Sequence, residues 1–257
     1  MNTNVYKPRI SIITSTLNVA GSFSRSIESV RFQTYDNFEW IVVDGASIDG
    51  TQAIIEANKD IINVSISEPD SGIYEAWNKG VVLSSGDYIC FLGGDDSWVD
   101  CDSLDSLVNA LTPDIDLVSA RASIVARNGD TIRCFGEPWS VRAIRNRQMV
   151  CHPGMLVKRD IFDVVGKFDV SYRIAGDYDW LLRMPKNIKS SYLDELIINM
   201  SAGGVSERKI IKVLVETRRA QIRNLNRSTI LININMLRYY LMINLGKLKR
   251  LLFKWTV

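Results

Sequence analysis

Gly86-Asp87-Tyr88-Ile89-Cys90-Phe91-Leu92-Gly93-Gly94-Asp95-Asp96 is the run on which the rest of the chain turns. Its middle, Tyr88 to Leu92, is continuously apolar or aromatic, the pattern of a short strand buried on both faces. The chain then breaks on two glycines and presents two adjacent carboxylates. Like charges at a strand end repel and cost stability unless something cationic sits there. In an open α/β sheet the carboxyl ends of the strands are also where ligands bind. Oxygen-only ligands at such a place suit a hard divalent ion, Mg²⁺ or Mn²⁺, carrying a phosphate. Gly-Gly-Asp-Asp is equally good turn chemistry, so the run by itself leaves a plain polar turn open.

Upstream of it, strand and helix alternate with short connections. Arg9 to Ser15 reads as a buried strand ending in Thr14-Ser15-Thr16-Leu17-Asn18, and Ser22 or Ser24 can cap a helix carrying Phe23, Ile27 and Val30. Glu39 to Val43 is a second strand, followed by the loop Asp44-Gly45-Ala46-Ser47-Ile48-Asp49-Gly50 and a helix over 51–58. Asn63 to Ser67 is a third strand, with Glu68-Pro69-Asp70-Ser71-Gly72 behind it; Ile73, Trp77 and Val81 then mark a helix that crosses back to the central strand. This alternation predicts a parallel α/β sheet with every polar cluster on one edge. Neither G-x-G-x-x-G nor the Walker pattern is present, which argues against a Rossmann dehydrogenase and a P-loop enzyme.

Downstream the pattern changes. Asp116 to Ala126 and Thr131 to Phe135 flank Arg127-Asn128-Gly129-Asp130, a hairpin signal. Then come Cys151-His152-Pro153-Gly154, a helix near 160–165, and Gly176-Asp177-Tyr178-Asp179-Trp180, read as a helix start with its acids at the positive end. His152 is the single histidine of the chain, and a structural histidine beside Pro153 is as good a reading as a functional one.

Size and charge frame the rest. At 257 residues, 46% hydrophobic and 23% charged, the chain has ordinary globular composition and material for one large domain with an extension. The four cysteines show no C-x-x-C spacing and the first residues are polar, so a reducing cytosol without an export signal is the expected compartment. From 205 to 257 twelve Lys or Arg face two Glu, a balance of +10; the remaining 19 basic and 27 acidic residues leave the body at −8.

In these motifs the chain resembles the family 2 glycosyltransferases, whose fold is called GT-A. The resemblance runs from about residue 9 to 202. Ile12-Ile13-Thr14-Ser15-Thr16-Leu17-Asn18 looks like the family's opening strand, and Val42-Val43-Asp44-Gly45-Ala46-Ser47-Ile48-Asp49-Gly50-Thr51 like its nucleotide-binding loop. Gly72-Ile73-Tyr74-Glu75-Ala76-Trp77-Asn78-Lys79-Gly80 is similar to the subgroup acting in bacterial surface polysaccharide and O-antigen assembly. Phe91-Leu92-Gly93-Gly94-Asp95-Asp96 occupies the metal-motif position, and Gly176-Asp177 the place of the family's Glu-Asp pair. The resemblance implies an α/β GT-A fold, a mostly parallel central sheet flanked by helices, with a C-terminal helical extension. It implies a catalytic domain over 1–206 (nucleotide-sugar binding at about 9–100, acceptor and catalytic part at about 101–206) and a basic amphipathic tail over 207–257.

By the same resemblance Asp177 is the base, Asp179 being its nearest rival. Thr14, Asn18, Asp44, Ser47, Asp49, Asp70, Asn78, Lys79 and Asp95 are nucleotide-sugar contacts, with Asp44 at the base edge. His152, Asp179 and Arg183 are acceptor or diphosphate candidates, and Asp95 with Asp96 holds Mn²⁺ or Mg²⁺. Two departures stand out: Gly93 replaces the first acid of Asp-x-Asp, and Gly176 replaces Glu. They keep open an inactive nucleotide-binding homologue or scaffold. A sugar nucleotidyltransferase would open with a Gly-rich, Arg-containing loop, and Thr14 to Asn18 has neither residue.

The expected reaction is a single inverting displacement from a nucleotide sugar, a UDP-hexose or UDP-N-acetylhexosamine, to a polyprenyl-diphosphate-linked saccharide. No nucleic-acid partner is expected. Ile234, Leu237, Leu241, Leu245, Leu248, Leu252 and Trp255 recur every three or four residues, one apolar stripe flanked by Arg238, Lys247, Lys249, Arg250 and Lys254. Asn233, Asn235, Arg238 and Asn244 interrupt any membrane span, so a helix lying on the cytoplasmic membrane surface is expected; packing on the body or a partner chain is the alternative.

Overall fold

A computed structural model of the chain describes residues 6–234, 236–238, 240 and 241. The first half alternates as its sequence predicts: β1 (Ile10–Thr16), α1 (Phe23–Arg31), β2 (Phe38–Asp44), α2 (Thr51–Glu56), β3 (Val64–Ser67), α3 (Ile73–Leu83) and β4 (Tyr88–Gly93). These four strands are parallel and nearly level. Thr16 stands beside Asp44, and Ser15 beside Gly93, so the loops behind β1, β2 and β4 open on one edge. Alternate residues feed two cores: Ile12, Trp40 and Cys90 face α1, while Ile13, Ile41 and Phe91 face α3.

The second half continues with β5 (Ser97–Trp98), α4 (Ser103–Asn109), β6 (Leu117–Val125), β7 (Thr131–Phe135), α5 (Val141–Ile144), β8 (Leu156–Lys158), α6 (Ile161–Val165), α7 (Gly176–Leu182), β9 (Ser190–Ser201), α8 (Val205–Arg208) and α9 (Ile210–Asn224). The strand order is β3-β2-β1-β4-β8-β6-β9-β5, with β7 paired to β6. The hairpin turns at Asn128-Gly129, where Gly129 has φ +90°, as the dipeptide predicts. β8 runs antiparallel to β4, and β9 parallel to β6. Neither β8 nor β9 is legible in the sequence. β8 is three residues long, and β9 carries Asp194 and Glu195 with register shifts against β6 near Ala120 and Arg121.

α3 crosses β1 on a face that its apolar repeat misplaces. Tyr74, Ala76, Trp77 and Gly80 are buried, whereas Ile73 is exposed. Gly80 sets this phase, because a Cβ there would lie 2.3 Å from Ile13 Cγ2. Helix and strand therefore approach more closely than any side chain at 80 permits.

α9 packs on α7 with Glu216, Ala220 and Gln221 buried, so this part of the expected tail belongs to the body by contact. Leu225 and Ile232 are buried as well. Beyond them, helical residues at 229–234, 236–238, 240 and 241 carry exposed Ile230, Leu231, Ile234, Leu237 and Leu241. Leu245, Leu248, Leu252 and Trp255 of the apolar stripe lie outside the described residues.

Candidate active site

The loop behind β2 is organised by one carboxylate. Asp44 is fully buried and accepts from Thr16 Oγ1 (2.9 Å), Ser47 Oγ (2.5 Å), Ser47 N (2.9 Å) and Ser67 Oγ (2.7 Å). Burial by itself would raise its pKa, but these four bonds outweigh it and hold the carboxyl below its ordinary range. They also occupy all four acceptor positions of a carboxylate. Ser47 Oγ in turn accepts from Asn18 N (2.8 Å), and Asn18 Oδ1 from Ile48 N (3.0 Å). Asn18 and Ala46 take positive φ, 52° and 60°, so the two loops meet through a strained, cross-linked backbone. Asp49 accepts from Ala20 N, Thr51 N and Thr51 Oγ1, tying the same loops at their far end. Asp70 completes this corner, since a Cβ on Gly45 would sit 3.0 Å from its Oδ2.

At the end of β4 the two carboxylates crowd over Gly93. A Cβ there would lie 2.6 Å from Asp96 Oδ2 and 3.3 Å from Asp95 Oδ1. The space of a side chain at 93 is thus taken by carboxylate oxygens, which explains the departure from Asp-x-Asp. Asp96 is buried, and burial, then the neighbouring Asp95 charge, pushes its carboxyl up to about 7. Its Oδ1 accepts from Ser201 N (3.3 Å), while Ser201 Oγ and Arg25 both donate to Asp95 O (2.6 and 2.9 Å). Carboxylate oxygens from two adjacent residues are the donor type that a hard divalent cation takes. Among the described residues no group of three or more His, Cys, Asp or Glu is assembled for a metal.

Asp177 opens α7 and is oriented through both oxygens. Gln148 Nε2 donates to Oδ2 (2.7 Å), and the Tyr74 hydroxyl reaches Oδ1 (3.2 Å) as well as Ile174 O (2.5 Å). Tyr74 also explains the second departure. A Cβ on Gly176 would meet three carbons of the Tyr74 ring at 2.7–2.8 Å, so the ring fills the place of the family's Glu side chain. Burial, then the Asp177 charge, keeps the Tyr74 phenol protonated, well above its ordinary value. The buried Cys151 thiol is raised well above its ordinary value, chiefly by burial and to a smaller extent by the Asp96 and Asp177 charges.

The other sequence candidates have partners within the protein. Thr14 is buried and its hydroxyl accepts from the Trp40 indole (2.9 Å). Both amide ends of Asn78 are bound to the Phe168 backbone at 2.9 Å. Lys79 pairs with Glu68 (2.8 Å) and Glu75 (3.4 Å). Asp179 lies buried between Asn224 and Arg183, and the Arg183 guanidinium is spent on the carbonyls of Val165 and Lys167. His152 sits in an aromatic box, 4.9 Å from Trp77, 5.0 Å from Phe91 and 5.7 Å from Phe168. Burial lowers its pKa to about 4, so its ring is neutral. Four site residues escaped the sequence reading: Tyr74, Gln148, Arg25 and Ser201. Tyr74 lay inside a recognised motif; the others approach from distant elements and carry no local signal.

The comparisons bear on family and fold. Residues 11–165 match the model "Glycosyl transferase family 2". A PGL/p-HBAD biosynthesis glycosyltransferase of Mycobacterium bovis (BCG) is 27% identical over 84% of this chain and 88% of its own. An uncharacterized glycosyltransferase of Mycobacterium tuberculosis (H37Rv) is 30% identical over 68% of each chain. Among solved structures, S. aureus TarS 1-349 in complex with UDP-GlcNAc superposes with a TM-score of 0.66 at 17% identity, covering 90% of this chain and 71% of that one. The mannosyltransferase PcManGT from Pyrobaculum calidifontis, in complex with GDP-Man and Mn²⁺, gives 0.64 at 18% identity, with 92% and 70% covered. With the family's model matched from the first strand to α6 and its fold shared, the chain belongs to glycosyl transferase family 2.

Proposed function

We propose that this protein is an inverting glycosyltransferase that moves a sugar from a nucleoside diphosphate, a UDP-hexose or UDP-N-acetylhexosamine, to a lipid-linked saccharide in bacterial polysaccharide assembly. The observation that carries the reading is Asp177, held through both oxygens by Tyr74 and Gln148; our reading puts Asp95 and Asp96, at the end of β4, in the same site. A carboxylate so fixed takes the proton of an acceptor hydroxyl while its oxygen attacks the anomeric carbon. The bond from that carbon to the diphosphate oxygen breaks on the opposite face, and the diphosphate leaves with the electron pair. One base and no enzymic nucleophile give inversion.

The nucleotide would lie along the edge framed by Asn18, Ser47, Asp49 and Asp70. Asp44 holds that edge in shape, its acceptor positions being occupied by the hydroxyls of Thr16, Ser47 and Ser67 and the Ser47 N–H. Rigid framing of this kind fixes the anomeric carbon in line with the base. Asp95 and Asp96 would hold Mn²⁺ or Mg²⁺, whose charge stabilises a departing diphosphate. The UDP-GlcNAc and GDP-Man complexes of the structural neighbours support a nucleotide-sugar donor.

The competing reading, an inactive homologue, rested on Gly93 and Gly176. Each glycine has a neighbour occupying its side-chain space, a carboxylate in one case and the Tyr74 ring in the other, which supports a repacked site over a dismantled one. Peripheral attachment to the inner face of the cell membrane is supported by the exposed apolar residues at 230–241 and the basic excess of the C-terminal segment. Among the described residues no helix is long and apolar enough to cross a membrane.

The test is a screen of UDP- and GDP-sugars for Mn²⁺-dependent turnover on a lipid-linked acceptor, with Asp177→Asn beside the native chain. Asn keeps the shape but accepts no proton, so turnover should fall by about 10²-fold or more at little-changed donor affinity. Near-normal turnover of Asp177→Asn would remove the base.

A further inference from the structure

The base sits on a segment gripped from outside the region that matches the family model. Glu216, in the middle of α9, is buried and accepts four contacts from three successive backbone N–H groups: Arg173 N (3.2 and 3.0 Å), Ile174 N (2.8 Å) and Ala175 N (3.0 Å). These are the three residues immediately before α7, whose second residue is Asp177. A helix start leaves N–H groups without helical partners, and here a carboxylate from another helix takes up those just outside it.

The same peptide is held from the other side. Ile174 O accepts from the Tyr74 hydroxyl (2.5 Å), and the Arg173 guanidinium donates to Ser71 O. Residues 173–175 are therefore clamped between α3 and α9. Further along, α9 tracks the base-bearing segment. Arg223 pairs with Asp169, Arg219 lies 4.4 Å from the Tyr172 ring centroid, Gln221 donates to the Tyr178 hydroxyl (2.9 Å), and Asn224 to Asp179 (2.8 Å).

We infer that Glu216 is a positioning residue for the transferase: it fixes the 173–175 backbone so that Asp177 meets the acceptor, which makes α9 part of the working site. This rests on the reading of Asp177 as the base. Asp177 itself is a short side chain with few rotamers, so its carboxylate goes where the backbone of the first α7 turn goes. Loss of the Glu216 acceptor frees three N–H groups at once and lets that turn drift, and a displacement of about 1 Å at a reacting group can cost on the order of 10²-fold in rate.

The test uses the full chain and two measurements. Hydrogen exchange needs no ligand: in Glu216→Ala the amides of 173–179 should exchange about tenfold faster or more, while β1–β4 exchange as in the native protein. Turnover is followed as nucleoside diphosphate released from UDP-N-acetylglucosamine, UDP-galactose and GDP-mannose with Mn²⁺ and water as acceptor. Here kcat should fall about tenfold or more in Glu216→Ala at donor KM within about twofold, with Glu216→Gln, which keeps one accepting oxygen, in between. Ala220→Gly loosens the same helix without touching 173–175 and should leave kcat near native. Equal loss of kcat in Ala220→Gly, or unchanged exchange at 173–179 in Glu216→Ala, overturns the inference. Asp177→Asn, run in parallel, separates the two ideas. If it is inactive while Glu216→Ala turns over normally, the positioning role fails alone; if it turns over normally, the base reading has failed.

Discussion

Gly176 and the Tyr74 ring make a sharp test of how this site is packed. A methyl group at 176 would meet ring carbons at 2.7–2.8 Å, well inside ordinary contact. The ring has no room to retreat. It is buried against Trp77 and Phe168, at centroid distances of 5.6 and 5.8 Å, and its hydroxyl is pinned at Ile174 O and Asp177. Overpacking a rigid site of this kind costs about 1–3 kcal/mol. Replacing glycine by alanine in a helix returns about 1 kcal/mol at most. Gly176→Ala should therefore destabilise the native chain by about 1–2 kcal/mol, read as a lower urea midpoint at unchanged slope. Turnover should fall about tenfold or more, because the adjacent residue is Asp177. In a Tyr74→Leu background the ring is gone, and the same substitution should be neutral or stabilising. The coupling between the two sites is then about 1–3 kcal/mol. Equal cost in both backgrounds would refute the claim that the ring excludes a side chain at 176, and with it the explanation of why glycine replaces Glu there.

Three further outcomes are expected. Asp95→Ala should abolish Mn²⁺-dependent retention of a UDP-sugar while circular dichroism and melting stay native-like, since a strand-end carboxylate fills no core; undiminished binding would move the metal elsewhere. Asp96 has a carboxyl raised from 3.8 to about 7 by burial and by Asp95, so its contribution to stability is complete below about pH 4 and lost as pH rises through about 7. Without divalent cation the native chain should lose more melting temperature between pH 5 and pH 8 than Asp96→Asn does, and parallel pH curves would contradict this. Because α9 belongs to the body, a soluble truncation should end near Asn233 and not at 206. The full chain should sediment with anionic vesicles at low salt and the truncated chain should stay in solution, each basic residue contributing about 1 kcal/mol near the surface; a full chain indifferent to such vesicles would make the tail a packing or oligomerisation element.

Sequence alone determined the parallel half of the sheet and the chemistry along its edge. Continuous apolar runs and helical repeats are local patterns; Asp44 and Asp95 sit where such a pattern ends and Asp177 where one begins. Family resemblance then attached roles to them. Tertiary structure decided everything that depends on which distant side chains meet. The edge carboxylate Asp44 proved to be saturated by three hydroxyls, from positions 16, 47 and 67, and the Ser47 backbone N–H, and Asp179 and Arg183 proved to be bound to each other and to the scaffold. The glycines at 93 and 176, which read as lost acids, are spaces filled by Asp96 and Tyr74. β9 stayed hidden because its apolar residues do not alternate, and α9 because an amphipathic basic helix has the same periodicity whether it lies on a membrane or on a neighbouring helix. What separates those two cases is the position of Glu216 beneath three backbone N–H groups some forty residues upstream, and no periodicity in the chain encodes that contact.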